Sequence, residues 1–285
     1  MMSAPSEFHY RLPRRLGAWR AGSHPATTLG AGQEFASHAS LYDRPDPRRL
    51  DLRASLRDLR GDWLVRVSRQ RAAVPVHAIV DVSASMAFGS PRTKLQRVAD
   101  FVEALGRSAF RVGDALGMAA FDEHERTELL VPAMLSRGTG ALMATRLREC
   151  VARGSGAAGL MEAVQRHAGR AELIFLVTDF HWPLERLEPV LDLLSHAFVV
   201  PVVVWDHAEI DPPAQPGLLS VWDVESKSQR TLWMRPKLRG RWLEAIAQRR
   251  WEIAERFARR GVRPFHLEGE FDGEAMSRYF LEAAA

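Results

Sequence analysis

Two aspartates each close a short apolar run, Asp81 after Val76-His77-Ala78-Ile79-Val80 and Asp179 after Leu173-Ile174-Phe175-Leu176-Val177-Thr178. Beyond the first, the chain reads Asp81-Val82-Ser83-Ala84-Ser85-Met86. Alternate positions bring a carboxylate and two hydroxyls within reach of a common point as the loop curls over a sheet edge. Carboxylates and hydroxyls are hard oxygen donors, suited to Mg²⁺ or Mn²⁺ in octahedral geometry with several retained waters. In open α/β sheets, ligands bind beyond the carboxyl ends of the strands, so the two aspartates are expected at one rim. The plainer alternative is that Asp81 and Ser83 only cap the helix that follows.

The elements that must hold these residues can be read from hydrophobic patterning. Val76–Asp81, Glu172–Val177 and Phe198–Trp205 are short, largely apolar runs of the kind buried in a parallel sheet. Leu95, Val98, Val102, Leu105 and Ala109 recur at helical spacing within Lys94–Phe110. Strands are expected at Ala115–Phe121 and Thr127–Val131, around the polar turn Asp122-Glu123-His124-Glu125. Helices follow at Leu142–Val151 and Leu160–Ala168, separated by Arg153-Gly154-Ser155-Gly156, and another spans Leu184–Ser195. Leu218–Val224 belongs to a hairpin. Leu238–Arg260 is a long amphipathic helix with Trp242 and Trp251 as expected core anchors, before a last strand at Arg263–Leu267 and a last helix at Gly273–Ala284. Alternating strands and helices give an α/β domain over 74–285 with a largely parallel sheet. Residues 1–73 form an Arg-rich extension whose only expected element is a short helix near Pro47–Leu59.

Composition narrows the function classes. With 285 residues, 46% hydrophobic and 26% charged, the chain can bury a substantial core and is not disordered. Its longest strongly apolar run, Ala197–Trp205, is too short for a bilayer, which needs about 20 residues. Met1–Tyr10 lacks the apolar stretch of a secretory signal, and the expected location is the cytoplasm. The single cysteine, Cys150, excludes an internal disulfide and a thiolate metal cage. Net charge is +4, and the Arg excess is concentrated in residues 1–72. There Arg alternates with Asp and Leu, as in Arg48-Arg49-Leu50-Asp51-Leu52-Arg53, without interleaved aromatics for base stacking. That is an ion-paired face, and no nucleic-acid partner is expected.

The Asp81, Ser83, Ser85 and Asp179 pattern resembles the metal-ion-dependent adhesion site of von Willebrand factor A-type domains. The resemblance implies a Rossmann-type, mostly parallel sheet flanked by helices, with Asp81, Ser83, Ser85 and Asp179 as metal residues. The family's middle ligand, usually Thr, falls on Ser155, with Thr139 the competitor. A more specific resemblance rests on Gly30, Gly32, Glu34 and Phe35, then Tyr42, then Arg48 and Asp51. It is similar to bacterial proteins of unknown function that accompany MoxR-type AAA+ ATPases. Pro47 and Leu52 depart from that pattern, which usually has Asp and Trp there. The absence of N-terminal membrane helices, with the C-terminal hairpin and long helix, is similar to MxaS-type proteins associated with methanol dehydrogenase assembly.

What these resemblances imply is a binding module, in which Mg²⁺ or Mn²⁺ keeps a coordination position open for a client's carboxylate. The partners would be a MoxR-type ATPase and that client, in assembly or maturation of an enzyme complex. The enzymatic rival is a haloacid dehalogenase-type phosphatase, which wants a second acid two residues after its aspartate; Ser83 stands there and cannot protonate a leaving group. No Gly-x-Ser-x-Gly elbow or Gly-Lys-Ser/Thr phosphate loop occurs. The chain is therefore expected not to be an enzyme, and a metal-free scaffold is the remaining alternative.

Overall fold

The computed structural model describes residues 7–12, 21–30, 34–215, 217–223 and 228–283. Gly32, one of the family-type glycines, lies outside them. The chain divides into a unit of Leu12–Val74 and a unit of Met1–Arg11 with Pro75–Ala285.

The smaller unit is an antiparallel sheet in the order β1-β3-β2, built from β1 (Ala21–Gly30), β2 (Glu34–Ser40) and β3 (Leu64–Ala72). The helix expected over Pro47–Leu59 is only a 3-10 turn, Pro47–Arg49, followed by the four-residue α1 (Leu52–Ser55). Extended backbone at Leu50 breaks the two apart, and Asp51 starts α1 by accepting the Ala54 N–H at 3.0 Å. In β3, Val65 and Val67 are buried while Arg66 faces out, the alternation of a half-buried strand.

The larger unit opens with β4 (Val76–Asp81), α2 (Lys94–Val112), β5 (Leu116–Phe121), β6 (Val131–Met134), α3 (Thr139–Glu149) and α4 (Leu160–Gln165). It continues through β7 (Leu173–Thr178), α5 (Leu187–Leu193), β8 (Phe198–Val204), α6 (His207–Ile210) and the hairpin β9 (Gly217–Asp223) and β10 (Ser228–Met234). It ends with α7 (Pro236–Ala258), β11 (Phe265–Leu267) and α8 (Gly273–Ala283). The six-stranded sheet runs β11-β8-β7-β4-β5-β6, parallel except for β6. The expected strand at Thr127–Val131 starts only at Val131, because Thr127–Leu129 is a 3-10 turn.

Both faces of this sheet are covered. Ile79, Ile174 and Leu176 pack with Leu160 and Val164 of α4, Leu187 and Val190 of α5, and Ile253 and Phe257 of α7. On an aromatic cluster elsewhere in the unit, Phe8 stacks on Phe101 and Phe280 and meets Phe175 edge-on. Phe8 N–H donates to Ser108 Oγ at 2.9 Å, and Tyr10 Oη donates to Asp114 Oδ2 at 2.6 Å. Residues 7–11 thus belong to the α/β core, which differs from the single extension expected over 1–73. Trp251 is also not the expected anchor: it is 59% exposed, and α7 buries only Ile253 and Phe257.

α2 explains why the β4 loop is well placed. Thr93 and Gln96 form a reciprocal capping box at its start, and Gly113 ends it in the left-handed region at φ 85°. From β4 the chain moves one way to β5, and β7 later adds on β4's other side. The order therefore reverses between β4 and β7. A reversal of this kind opens a crevice at the carboxyl ends of its two strands.

Candidate functional site

Asp81 is the last residue of β4, and Asp179 follows the last residue of β7, so both carboxylates stand at that crevice. Both are buried. Asp81 Oδ1 accepts the Ser83 N–H at 2.9 Å, which curls the loop back over the strand end. Ser83 Oγ lies 3.2 Å from Ser85 Oγ. Thr178 Oγ1 donates to Asp81 Oδ2 at 2.6 Å and accepts from Trp182 Nε1 at 3.1 Å, locking the ends of β4 and β7 together. Ser85 also helps hold Asp179 ionised. Asp81, Ser83, Ser85 and Asp179 are thus brought together.

The other two candidate ligands are not placed alike. Arg153 N–H donates to Val82 O at 3.1 Å and Ala84 N–H to Gly154 O at 3.1 Å, so the Ser155 loop lies alongside the Asp81 loop. The Ser155 hydroxyl and N–H both turn to Glu123 Oε1, at 3.0 Å each. Thr139 begins α3, where Gly140 packs backbone to backbone on Gly106 of α2. Gly106 is about 18 Å along α2 from Lys94 at 1.5 Å per residue, so Thr139 sits far from the rim. Its buried hydroxyl has no hydrogen-bond partner among the described residues.

Sequence reading missed the cation already present here. Lys94, the first residue of α2, is fully buried, with Nζ 2.8 Å from Asp179 Oδ2 and 2.9 Å from Glu209 Oε1. Burial alone would lower its pKa, but Asp179 and Glu209 outweigh that and raise it. The same ammonium, with His181, overcomes the cost of burial at Asp179 and holds that carboxyl below its usual range. Asp81 is pushed the other way, first by burial and then by the Asp179 charge, against the bonds from Ser83 and Thr178. Among the described residues no basic side chain pairs with Asp81. The signal for Lys94 was a charged residue beginning a helix whose next inward position is Leu95. Thr178 was readable as the one polar residue ending an apolar strand.

The backbone beyond Asp179 is held under strain. Phe180 has φ 54°, the left-handed region that costs a side-chain-bearing residue roughly 1–2 kcal/mol. Arg249 of α7 fixes it, donating to Phe180 O from Nε at 3.0 Å and to Trp182 O from Nη2 at 2.5 Å. His181 projects outward, stacked on Trp205 and 3.5 Å from Glu209. Behind the rim, Arg97 pairs with Asp206 at 2.7 Å.

These donors fit a hard divalent cation. The Ser83–Ser85 oxygen separation is close to the roughly 3 Å edge of an octahedron with bonds near 2.1 Å. By formal charge, the carboxylates of Asp81, Asp179 and Glu209 against the Lys94 ammonium leave two negative charges, those of one divalent ion. Asp81, Ser83, Ser85 and Asp179 would hold it, and Ser85, the least buried of the four, marks the way in.

The family-type residues sit in the smaller unit. Gly30 ends β1 and Glu34 begins β2. Phe35 is 45% exposed, with the Arg66 guanidinium 5.4 Å from its ring centre and His38 beside it. His38 Nε2 meets the Asp51 carboxylate at 3.1 Å, while Tyr42 is exposed and Arg48 N–H is bound by Asp46.

Among solved structures, the fold is similar to an aerotolerance-related membrane protein from Bacteroides fragilis, at 12% identity and a TM-score of 0.42, covering 74% of this chain and 98% of that one. It is similar to BatB, a conserved hypothetical protein from Bacteroides thetaiotaomicron, at 13% identity and 0.41, covering 74% and 99%. A von Willebrand factor type A protein from Catenulispora acidiphila matches at 16% identity and 0.33, covering 48% and 34%. No curated protein matches the chain by sequence. Among the described residues no helix is long and apolar enough to cross a membrane. A family profile matches residues 44–252, more than half of the sequence, and the chain therefore belongs to the family described as protein of unknown function DUF58.

Proposed function

We propose that the protein is a metal-dependent protein-binding module, taking Mg²⁺ or Mn²⁺ at Asp81, Ser83, Ser85 and Asp179 and a partner's carboxylate on the open side of the ion. The observation that carries this reading is Asp81, a fully buried carboxylate with no basic partner among the described residues, beside a second one that has Lys94. A buried unpaired charge is costly, and a bound dication relieves it. Ser83 stands two residues after Asp81, where an aspartyl phosphatase keeps its second acid, and this favours binding over turnover. On the resemblance of the Gly30-to-Asp51 segment, the proposed partners are a MoxR-type AAA+ ATPase and a client enzyme complex under assembly, with methanol dehydrogenase the instance that the MxaS-type resemblance suggests. An intracellular setting goes with those partners.

One observation favours a second reading. Lys94 already neutralises part of the rim, which suits a metal-free scaffold. Thermal unfolding of wild type and Asp81→Ala in EDTA and in excess Mg²⁺ or Mn²⁺ separates the two. A ligand at 100 times its Kd adds about 2.7 kcal/mol, a rise of several degrees. The module requires that rise in wild type and its loss in Asp81→Ala. An unchanged wild type favours the scaffold. Where the rise is seen, retention of a MoxR-type ATPase in Mg²⁺ but not in EDTA tests the partner.

A further inference from the structure

At the opposite edge of the same sheet, three metal-ligating side chains converge with no part in the rim site. His77 is the second residue of β4, Glu172 immediately precedes β7, and His167 lies in the connection from α4 to β7. His167 Nδ1 is 2.7 Å from Glu172 Oε2, and His77 Nε2 is 3.7 Å from the same oxygen. The two imidazoles meet edge to face with ring centres 4.4 Å apart. One ligand atom from each residue falls within 4.8 Å of the others. His167 and Glu172 are buried, and the nearest guanidinium to the carboxylate, that of Arg170, is 3.9 Å from Oε1.

The sheet makes room for this cluster. Gly117 of β5 is the register partner of His77, and a Cβ there would lie 2.7 Å from His77 Nδ1. Only glycine lets the imidazole lie across the neighbouring strand. The three residues line a pocket of about 320 Å³, with Pro132, Arg166 and Arg170 also on its wall.

We propose that His77, His167 and Glu172 form a second metal site, selective for a zinc-class transition metal, with its fourth position open to the pocket for water or a small anion. Two imidazoles and one carboxylate with an open position are the ligand set of many exchange-competent zinc sites. Imidazole is a borderline donor that suits Zn²⁺ and its neighbours, whereas the hard oxygens of the rim suit Mg²⁺ and Mn²⁺. Tetrahedral bonds near 2.0–2.1 Å place ligand atoms about 3.3 Å apart. The observed 2.7 and 3.7 Å lie on either side of that spacing and all three ligand atoms fall within 4.8 Å of one another, so side-chain adjustments of up to about 1.5 Å complete the site. Without metal, the His167–Glu172 hydrogen bond holds the carboxylate in place. An anion on the open position would meet the positive wall of Arg170, which is 65% exposed.

The test is calorimetric titration of the full, EDTA-stripped chain with Zn²⁺, in wild type, Asp81→Ala, His77→Gln and Glu172→Gln. The site requires one Zn²⁺ per chain with equal affinity in wild type and Asp81→Ala, so the outcome is independent of the rim. His77→Gln and Glu172→Gln each should lose more than the roughly 10–100-fold that removal of an outer-shell partner costs. Absence of Zn²⁺ binding in wild type overturns the proposal. So does binding abolished by Asp81→Ala, or unchanged by the other two substitutions. If a variant does not fold, X-ray absorption of zinc-loaded wild type decides without it: two imidazoles in the zinc shell uphold the site, and fewer than two overturn it.

Discussion

The two edges of the central sheet are marked by one strand. β4 begins beside His77 and ends at Asp81, about 13 Å apart at 3.3 Å per residue. At the carboxyl edge, the donors are oxygens, the charges are many, and a lysine ammonium is built in. At the amino edge, the donors are two imidazoles around a single carboxylate, with guanidinium groups only at the margin. The carboxyl edge is a problem of charge balance, and the amino edge is one of shape and proton occupancy. The contrast makes perturbations at the two edges differ in size and in what reverses them.

The largest effect is expected at Lys94. Lys94→Met leaves Asp179 and Glu209 facing each other without their shared cation, and breaking a buried ion pair by removing one partner costs about 3–5 kcal/mol. Urea unfolding should show that loss in EDTA, and millimolar Mg²⁺ should restore part of it. A cost under about 1 kcal/mol would mean that the ammonium does not balance this rim, and the contrast between the edges would fail.

At the amino edge the reversing agent is acid. Burial, and then His167 beside it, lowers His77 to about 4 from an unfolded value of 6.5. Glu172 opposes that shift, while Arg170 and Arg166 add to it. The native state buries a neutral ring, and the unfolded state takes up a proton below pH 6.5. The contribution is therefore present above pH 6.5 and is lost as pH falls toward 4, amounting to about 2 kcal/mol by pH 5. Urea midpoints in EDTA at pH 7 and pH 5 measure it. Asp81, raised to about 7, titrates in the same window, so the readout is the difference from His77→Gln, whose loss should be smaller by about 2 kcal/mol. Equal losses in the two proteins would remove His77 from the account.

The same contrast explains what the sequence discloses. The carboxyl edge is legible because its donors lie in one short run, Asp81 to Ser85, and because an apolar strand ending in Asp recurs at Asp179. The amino edge is assembled from residues 77, 167 and 172, whose spacing matches no metal signature, and only Gly117 opposite His77 brings them together. The α/β core was legible for the reason that its strands are buried on both faces and read as short, largely apolar runs. The smaller sheet was missed because β1 and β2 carry Gly, Pro, Ser, His and Thr in place of alternating apolar residues. β3 did hold the signal, in Val65-Arg66-Val67, but within too short a stretch beside Arg-rich neighbours. Lys94 escaped notice because buried lysines are rare, and its two carboxylate partners come from positions 179 and 209.

The smallest expected effect sharpens the account of the carboxyl edge. Ser155 shares a loop hydrogen-bonded to the Asp81 segment, but its hydroxyl is exposed and bound to Glu123. Ser155→Ala removes one exposed hydrogen bond, and substitutions of that kind stay within about 0.5 kcal/mol. The thermal midpoint in EDTA should hardly move. The informative quantity is the Mg²⁺-induced rise. If the hydroxyl stays with Glu123, the rise in Ser155→Ala equals that of wild type, and the ion is held by Asp81, Ser83, Ser85 and Asp179 with water at the remaining positions. A rise that disappears in Ser155→Ala would show that metal binding draws this hydroxyl away from Glu123. The Gly154–Ser155–Gly156 loop would then be the moving part of the rim, swung in by the ion while Phe180 and Arg249 keep the Asp179 side fixed.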